Sequence, residues 1–491
     1  MASAADLKRL GLGVIAMILM AVLVFFGTGL HPSWPLMWFA PLPVLLFANR
    51  ASWWAAALAA ALGVMLGILD LWGLFHRLLQ MPAPILVQIY LSEGIVYALA
   101  VCLYRALLRR SAYWTALLAF PAVIVSFEYL LNLASPHGTA GSLAYSQLGF
   151  LPFLQLATVT GPWGLSFLVL SFSTALAICI HLYPTAPKRA LRIGGAVAAV
   201  LIVVLALGTL RLSAHQGGPE VKVGLVASDG TKGVNDDVLE PGAPADRLFA
   251  QYAAPIQSLA AQGAQAVVLP EKIAVVLDAT EAETDAAFQK LSDQARVLIV
   301  VGELRIRHES QTDKKEYNEA RVYQPGRPPR SYDKEHMLPP FESKLTPGDS
   351  LTLLPQREAT WGVAICKDMD FDPLSADYGR KGVGLMLVPA WDFYLDYIQH
   401  GHIAILRGVE SGFSLVRSAK GGSLYASDDR GRILAEVKSD AAPFTSLLAT
   451  VPSGHDATLY DSLGDWFAWL ALGLLAFALV QLYRLRPGRS S

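Results

Sequence analysis

Residues Leu191 to Ala227 read LRIGGAVAAVLIVVLALGTLRLSAHQGGPEVKVGLVA. The first part, Leu191–Leu212, holds two arginines near its ends and an apolar run between them. About 20 apolar residues suffice to cross a bilayer core as a helix. A polar junction with Gly217, Gly218 and Pro219 follows, and then Val221–Ala227, a short apolar run rich in β-branched valine. Such a run reads as a strand buried in a sheet. Within this one stretch the chain passes from a membrane-length helix to the first strand of a mixed α/β domain, so the fold has two parts.

Working toward the N-terminus, further apolar spans read Gly11–Thr28, Pro35–Ala48, Trp53–Phe75, Ile85–Leu108, Trp114–Leu133 and Leu151–Leu182. The Pro35 span is short and carries Pro41 and Pro43; the Leu151 span is expected to start re-entrant and become a helix from about Trp163. One more span, Trp466–Tyr483, lies near the C-terminus. Lys8 and Arg9 precede the first run as in a signal peptide, but no small-residue cleavage site follows, so it reads as a retained helix. The expected domains are 1–214 with seven transmembrane helices, 215–461 as the α/β domain, and 462–491 as a last helix and tail.

Short-loop Lys and Arg orient such a chain, because they stay on the cytoplasmic side. Lys8, Arg9, Arg50, Arg109, Arg110, Lys188, Arg189, Arg192, Arg484, Arg486 and Arg489 all fall on the side of the N-terminus, while the outer loops hold little beyond Arg77 and Ser135–Phe150 has no Lys or Arg. Both termini are therefore expected in the cytoplasm and the α/β domain outside it. Over 491 residues the chain is 54% hydrophobic and 16% charged with a net charge of -1, which excludes a plain soluble enzyme and offers no basic field for nucleic acid.

In the exported part, Val221–Ala227, Ala266–Leu269, Val297–Val301, Ala320–Tyr323, Ser350–Leu354, Trp361–Ile365, Leu385–Val388, Phe413–Val416 and Leu424–Ala426 read as strands. Helices are expected over about Pro244–Gln262, Ala279–Ala295 and Tyr397–Ser411. Cys102 and Cys179 sit in spans as small apolar residues, leaving Cys366 as the one cysteine outside. An unpaired thiol in an oxidising compartment is a hazard unless it has a use. Cys366 ends one apolar strand and Glu271 another, and Lys334 follows a strand-like stretch, so the three are expected to converge at one sheet edge. A thiol needs a base, and an acyl-transfer oxyanion needs a cation or N–H donors.

Glu271, Lys334 and Cys366 resemble, in order and spacing, the Glu-Lys-Cys triad of the nitrilase (carbon-nitrogen hydrolase) superfamily. Leu269-Pro270-Glu271, Tyr332-Asp333-Lys334 with His336 and Pro339, Glu342 and Ile365-Cys366 look like its membrane branch, the apolipoprotein N-acyltransferase family. So do the stretch from His31 to Ala40, Ala144–Gln147, Gly164–Phe167, Trp391–Phe393, and the helix through Gln399, His400, Arg407 and Glu410. The resemblance implies a multi-pass helical membrane domain plus an αββα sandwich in a bacterial inner membrane. It implies that Glu271 is the base, that Lys334 and the N–H after Cys366 meet the oxyanion, and that Cys366 carries a thioester. Glu342 would assist the triad, and Lys367, Trp391 and Glu128 are further supporting candidates. The implied partners are a phospholipid acyl donor and a diacylated apolipoprotein acceptor, with no metal or organic cofactor.

The sequence departs from the family pattern at Lys272, Lys367-Asp368, Ala227-Ser228-Asp229, Phe341 and Ala419–Gly422. Lys272 and Lys367 either point to solvent or act on the thiol or an anionic head group. Glu128 either supports lipid entry or pairs a polar group between helices. A membrane-tethered amidase or N-acyltransferase acting on a different amine, and an inert binding domain, remain as alternatives.

Overall fold

The computed structural model describes residues 4–30, 32–214, 217–228, 243–308, 314–394 and 397–485. His31, Asp229, Arg486 and Arg489 lie outside the described residues, as do the side chains of Gln399 and His400. The chain divides into a helical unit (residues 1–134, 141–213 and 465–491) and an α/β unit (135–140 and 214–464). These limits differ from the expected ones at Ser135–Ala140, at Ala214 and at residues 462–464. Ser135–Ala140 groups with the α/β unit, because Thr139 donates through its N–H and Oγ1 to the Asp370 carbonyl at 3.0 and 2.9 Å. Residues 462–464 also belong there, behind the short helix Leu459–Leu463, whose Tyr460 hydroxyl donates to Asp372 at 2.9 Å.

In the helical unit, seven helices among the described residues are long and apolar enough to cross a membrane: Leu7–Gly27, Trp53–Leu71, Ala83–Leu108, Tyr113–Ala134, Ala157–Leu182, Pro187–Ser213 and Trp466–Arg484. Their outer faces stay apolar, with Ile202 66% and Leu210 67% exposed, which suits lipid rather than water. The expected Pro35–Ala48 span is instead two short helices, Trp34–Met37 and Leu42–Ala48. The chain turns at residues 38–41, and Pro41 and Pro43, at the start of the second helix, have no N–H to bond back to the first. Even continuous, its length would be about 22 Å, short of the roughly 30 Å core. The break expected before Trp163 is present. A short helix, Leu151–Leu154, precedes Ala157–Leu182, whose ladder is interrupted at Gly161 (φ +61°) ahead of Pro162. The last helix is pinned at this kink, with Trp163 Nε1 donating to Asp465 and Trp466 Nε1 to the Val159 carbonyl, both at 2.7 Å.

The α/β unit has thirteen strands among the described residues. They are β1 Glu220–Ser228, β2 Ala266–Val268, β3 Val275–Leu277, β4 Leu298–His308, β5 Lys314–Tyr323, β6 Arg330–Asp333 and β7 Thr352–Pro355. The rest are β8 Thr360–Val363, β9 Val383–Trp391, β10 Ser414–Lys420, β11 Ser423–Ser427, β12 Ile433–Lys438 and β13 Phe444–Pro452. One sheet runs β13-β1-β2-β4-β5-β6 with β3 beside β4; the other runs β12-β11-β10-β9-β8-β7. The central strands β1, β2 and β4 are parallel, as are β8, β9 and β10, and they are almost wholly buried, which is why they read as continuous apolar runs. Helices Ala243–Ala261 and Asp278–Ala295 pack on the first sheet, and Asp372–Arg380 and Tyr397–Ser411 on the second. The sheets face each other, with Ser418 of β10 donating to the Val226 carbonyl of β1 at 2.9 Å. The result is an αββα sandwich. A core of Val226, Tyr252, Ile256, Leu259, Phe288 and Ile299 fills the space under the first pair of helices.

Candidate active site

The first sheet supplies the carboxylate and the ammonium. Chain continuing from β2 pairs once more, Leu269 N–H to the Val300 carbonyl at 2.8 Å, and then leaves the sheet through Pro270 to Glu271. The Glu271 N–H donates to the Ala390 carbonyl of β9 at 3.2 Å, so this turn bridges the two sheets. Gly302 of β4 passes beneath it. A Cβ there would lie 2.5 Å from Glu271 Cα and closer still to the Pro270 carbonyl oxygen. Gly302→Ala is therefore expected to push Glu271 away, costing about 1–3 kcal/mol of stability and on the order of a hundredfold in acyl transfer. Thermal unfolding and a turnover assay on the same preparation check both. Lys334 follows β6 directly, and its N–H is held by the Asn318 carbonyl at 2.8 Å.

Four charges then meet in a buried cluster. Lys334 Nζ donates to Glu271 Oε1 at 2.9 Å and to Glu342 Oε2 at 2.8 Å. Asn318 Nδ2 bridges Glu271 and Glu342, and the Leu338 N–H donates to Glu342 at 2.9 Å. Lys272 Nζ bonds Glu342 and lies 3.7 Å from Glu271. Burial opposes the Lys334 ammonium, but Glu271 and Glu342 outweigh it and hold the pKa well above the usual lysine value. Burial likewise opposes the Glu342 carboxylate, and Lys334 and Lys272 overcome it, so Glu342 stays far below the usual carboxylate range.

The second sheet supplies the thiol. Cys366 follows β8 and opens a single turn, Cys366–Asp370, with φ +43°. A non-glycine residue in this region costs roughly 1–3 kcal/mol and persists only where its surroundings fix it. Asp368 does much of that fixing. It accepts from the Ile365 N–H at 3.0 Å, the Tyr332 hydroxyl at 2.9 Å and the Glu335 and His336 N–H groups at 3.2 and 2.8 Å. Cys366 Sγ lies 3.5 Å from the Trp391 carbonyl and 3.6 Å from Arg417 Nη2. Arg417 is itself clamped through two nitrogens by Asp392. Burial, and then the Glu271 charge, push the Cys366 thiol well above its usual range; Arg417 and Lys334 pull the other way. The buried thiol is thus within electrostatic reach of the Glu271 and Asp392 carboxylates and of the Arg417 and Lys334 cations.

The three triad candidates come together, but from two facing sheets rather than from one sheet edge as expected. Glu342 joins them, and the Trp391 ring carries Lys420 Nζ 3.7 Å from its centroid with Lys272 Nζ at 5.3 Å. Neither added lysine points to solvent. Lys272 is 15% exposed at its side chain, and Lys367 is 2% exposed and bonded to His137 and Asp370. Glu128 belongs to the helical unit, where it accepts from the Leu143 N–H at 2.8 Å and Ser142 at 3.3 Å, tying its helix to the following 3-10 turn. Sequence reading missed Asn318 and Arg417. An arginine inside the apolar run Phe413–Val416 and its continuation was an available signal for the second, since a charge buried in a central strand requires a partner. Among the described residues no group of His, Cys, Asp and Glu is arranged to hold a metal ion.

Two family profiles match the chain. The apolipoprotein N-acyltransferase N-terminal domain matches residues 12–175, and carbon-nitrogen hydrolase matches residues 243–440. Among similar proteins, an apolipoprotein N-acyltransferase of Geobacter metallireducens is 26% identical over 475 residues, covering 89% of this chain and 88% of that one. Another, from Haemophilus ducreyi, is 24% identical over 388 residues, covering 72% and 73%. Among solved structures, Saccharomyces cerevisiae Nit3, described as a member of branch 10 of the nitrilase superfamily, is 22% identical. It covers 49% of this chain and 93% of its own, with a TM-score of 0.41. With both profiles matched on one multi-pass membrane protein and relatives so named aligned along most of it, the chain belongs to the apolipoprotein N-acyltransferase family of the carbon-nitrogen hydrolase superfamily.

Proposed function

We propose that this chain transfers an acyl group from a membrane phospholipid to the α-amine of a diacylglyceryl-cysteine at an apolipoprotein N-terminus, through a thioester on Cys366. The observation that carries this is the buried meeting of the Cys366 thiol with Glu271, Lys334 and Arg417 in a chain with membrane-length helices. Glu271 takes the thiol proton as Sγ attacks the ester carbonyl. Lys334 Nζ and the Lys367 N–H meet the oxyanion, and Glu342 holds Lys334 in place. On collapse the C–O bond breaks, the lysophospholipid alkoxide takes the proton back from Glu271, and an acyl thioester remains. The amine then attacks, gives its proton to Glu271, and the thiolate leaves and is reprotonated. No step calls for a metal or an organic cofactor.

Keeping both substrates' chains in lipid avoids about 0.8 kcal/mol for each CH₂ drawn into water. We place the α/β unit outside the cytoplasm of a bacterial inner membrane with both termini inside. The positions of Lys and Arg support this with the Trp34–Ala48 pair as an eighth crossing, short enough to need a locally thinned bilayer. The test is expression of the full chain in a bacterium depleted of its own N-acyltransferase, with lipoprotein N-termini read by mass spectrometry. Acylated amines are expected. Free amines throughout would overturn the acceptor, and a Cys366 thioester in those same cells would favour a different amine.

A further inference from the structure

The turn that presents the nucleophile is gripped from two sides, and one grip comes from Ser135–Ala140, outside the triad and the residues that pair with it. Lys367 is buried, and a buried ammonium needs partners. Its Nζ lies 3.4 Å from Asp370 Oδ2, 3.2 Å from His137 Nδ1 and 5.5 Å from the centroid of the Phe371 ring. An ammonium only donates, so the His137 imidazole is neutral in this bond, with Nδ1 as the acceptor and its proton on Nε2. The same segment holds the far end of the turn, because Thr139 donates twice to the Asp370 carbonyl. Gly138, at φ +52°, lets the two backbones approach; a Cβ there would lie 2.5 Å from the Asp370 oxygen. On the opposite side, Asp368 is anchored to Tyr332, Glu335 and His336, and the His336 ring stacks on Phe371 at 3.6 Å.

We infer that Ser135–Ala140 is a positioning element of the acyl-transfer site. Neutral His137, by accepting from Lys367, fixes the turn that sets the Cys366 Sγ and the Lys367 N–H. The inference rests on the thioester reading above and adds a role for two residues in it. Its physical basis is tolerance: an oxyanion donor must stay within about 0.5 Å of its productive place, and the positive φ of Cys366 persists only while its neighbours hold it. The charged and titratable groups around the bond are Lys367 and Asp370 on the turn, with His336 across Phe371. When the imidazole takes a proton, Nδ1 stops accepting and two cations face each other. Lys367 then keeps Asp370 and the Phe371 ring but loses its tie to the Ser135–Ala140 segment, and the turn loosens. Acylation of Cys366 therefore carries an acid limb that belongs to His137, a residue outside the triad.

The test uses the full chain in phospholipid micelles, with thioester formation on Cys366 followed by mass spectrometry between about pH 8 and pH 5.5, the range in which an imidazole titrates. His137→Ala is expected to slow acylation about tenfold at the upper pH. His137→Asn keeps a side-chain acceptor that does not titrate, so it is expected to stay within about threefold of wild type there and to show a shallower acid limb. An alanine variant that matches wild type at every pH, or an asparagine variant with an unchanged acid limb, overturns the inference. A wild type that forms no thioester overturns the proposed function instead. In that case the same pH series, read as iodoacetamide alkylation of Cys366, decides the role of His137 without an acyl donor.

Discussion

Lys334→Met is expected to abolish useful activity, with a loss of at least about a thousandfold, and to destabilise the α/β unit by roughly 3–5 kcal/mol. Both effects come from the same burial. Lys334 is 2% exposed and lies between two carboxylates that are equally shut away. Without it, Lys272 is the one ammonium left against Glu271 and Glu342, and it bonds only the second of them closely. Breaking a buried pair by removing one partner costs far more than never having built it. Lys334→Met combined with Glu342→Gln leaves one carboxylate facing one lysine, so it is expected to recover most of the stability and none of the rate. Unfolding midpoints and N-acylation rates separate the two effects. A double variant as unstable as the sum of its singles would contradict the charge balance described. The pH sign follows from the directions. The Glu342 contribution is present above the ordinary carboxylate value of about 4.3 and is lost only as pH falls through a folded value far lower. The Lys334 contribution is present below the ordinary lysine value of about 10.4 and is lost only as pH rises past a still higher one. A loss of activity in mild acid therefore comes from neither residue.

Arg417→Met is expected to slow thioester formation on the order of a hundredfold and to cost about 3–5 kcal/mol through the broken Asp392 pair. The guanidinium is one of two cations that lower the thiol pKa against burial, and it is the one within 3.6 Å of Sγ. Its two-pronged hold on Asp392 fixes that approach. Arg417→Lys keeps the charge but not the planar fork, so it is expected to fall between the methionine variant and wild type. The rate of Cys366 acylation against pH is the measurement. A methionine variant as fast as wild type across the range would remove Arg417 from the chemistry.

The division into spans and an α/β unit was legible because lipid and sheet interiors both select long apolar runs. Glu271, Cys366 and Lys334 were legible because each stands where such a run, or a strand-like stretch, stops. The origin of the three in two facing sheets was not, since strand order is set by pairing across the sequence. Asn318 was hidden for a different reason. It lies in Lys314–Tyr323, which pairs with β4 along almost its whole length, and the far end of that pair carries Arg307, Lys314, Lys315 and Glu316 in place of apolar residues. Arg305, wholly buried among Glu281, Asp285 and Glu303, shows how ion pairs stabilise a strand that hydropathy alone passes over. Lys272 and Lys367 misled the solvent reading because a lysine's burial depends on partners far away in sequence: Glu342 for one and, beyond the nearby Asp370, His137 for the other. Ser135–Ala140 carries no Lys or Arg and looked like an ordinary loop between spans. Its glycine at positive φ and its threonine acquire meaning only beside the nucleophile turn.

Intact-mass analysis of the full-length protein, purified in micelles with a single defined phospholipid, tests the thioester most directly. The account predicts one adduct of that lipid's acyl group, removable by neutral hydroxylamine, mapping to Cys366 and absent from Cys366→Ser under the same treatment. N-acylation proceeding with no such adduct, or with the acyl group on another residue, would contradict it.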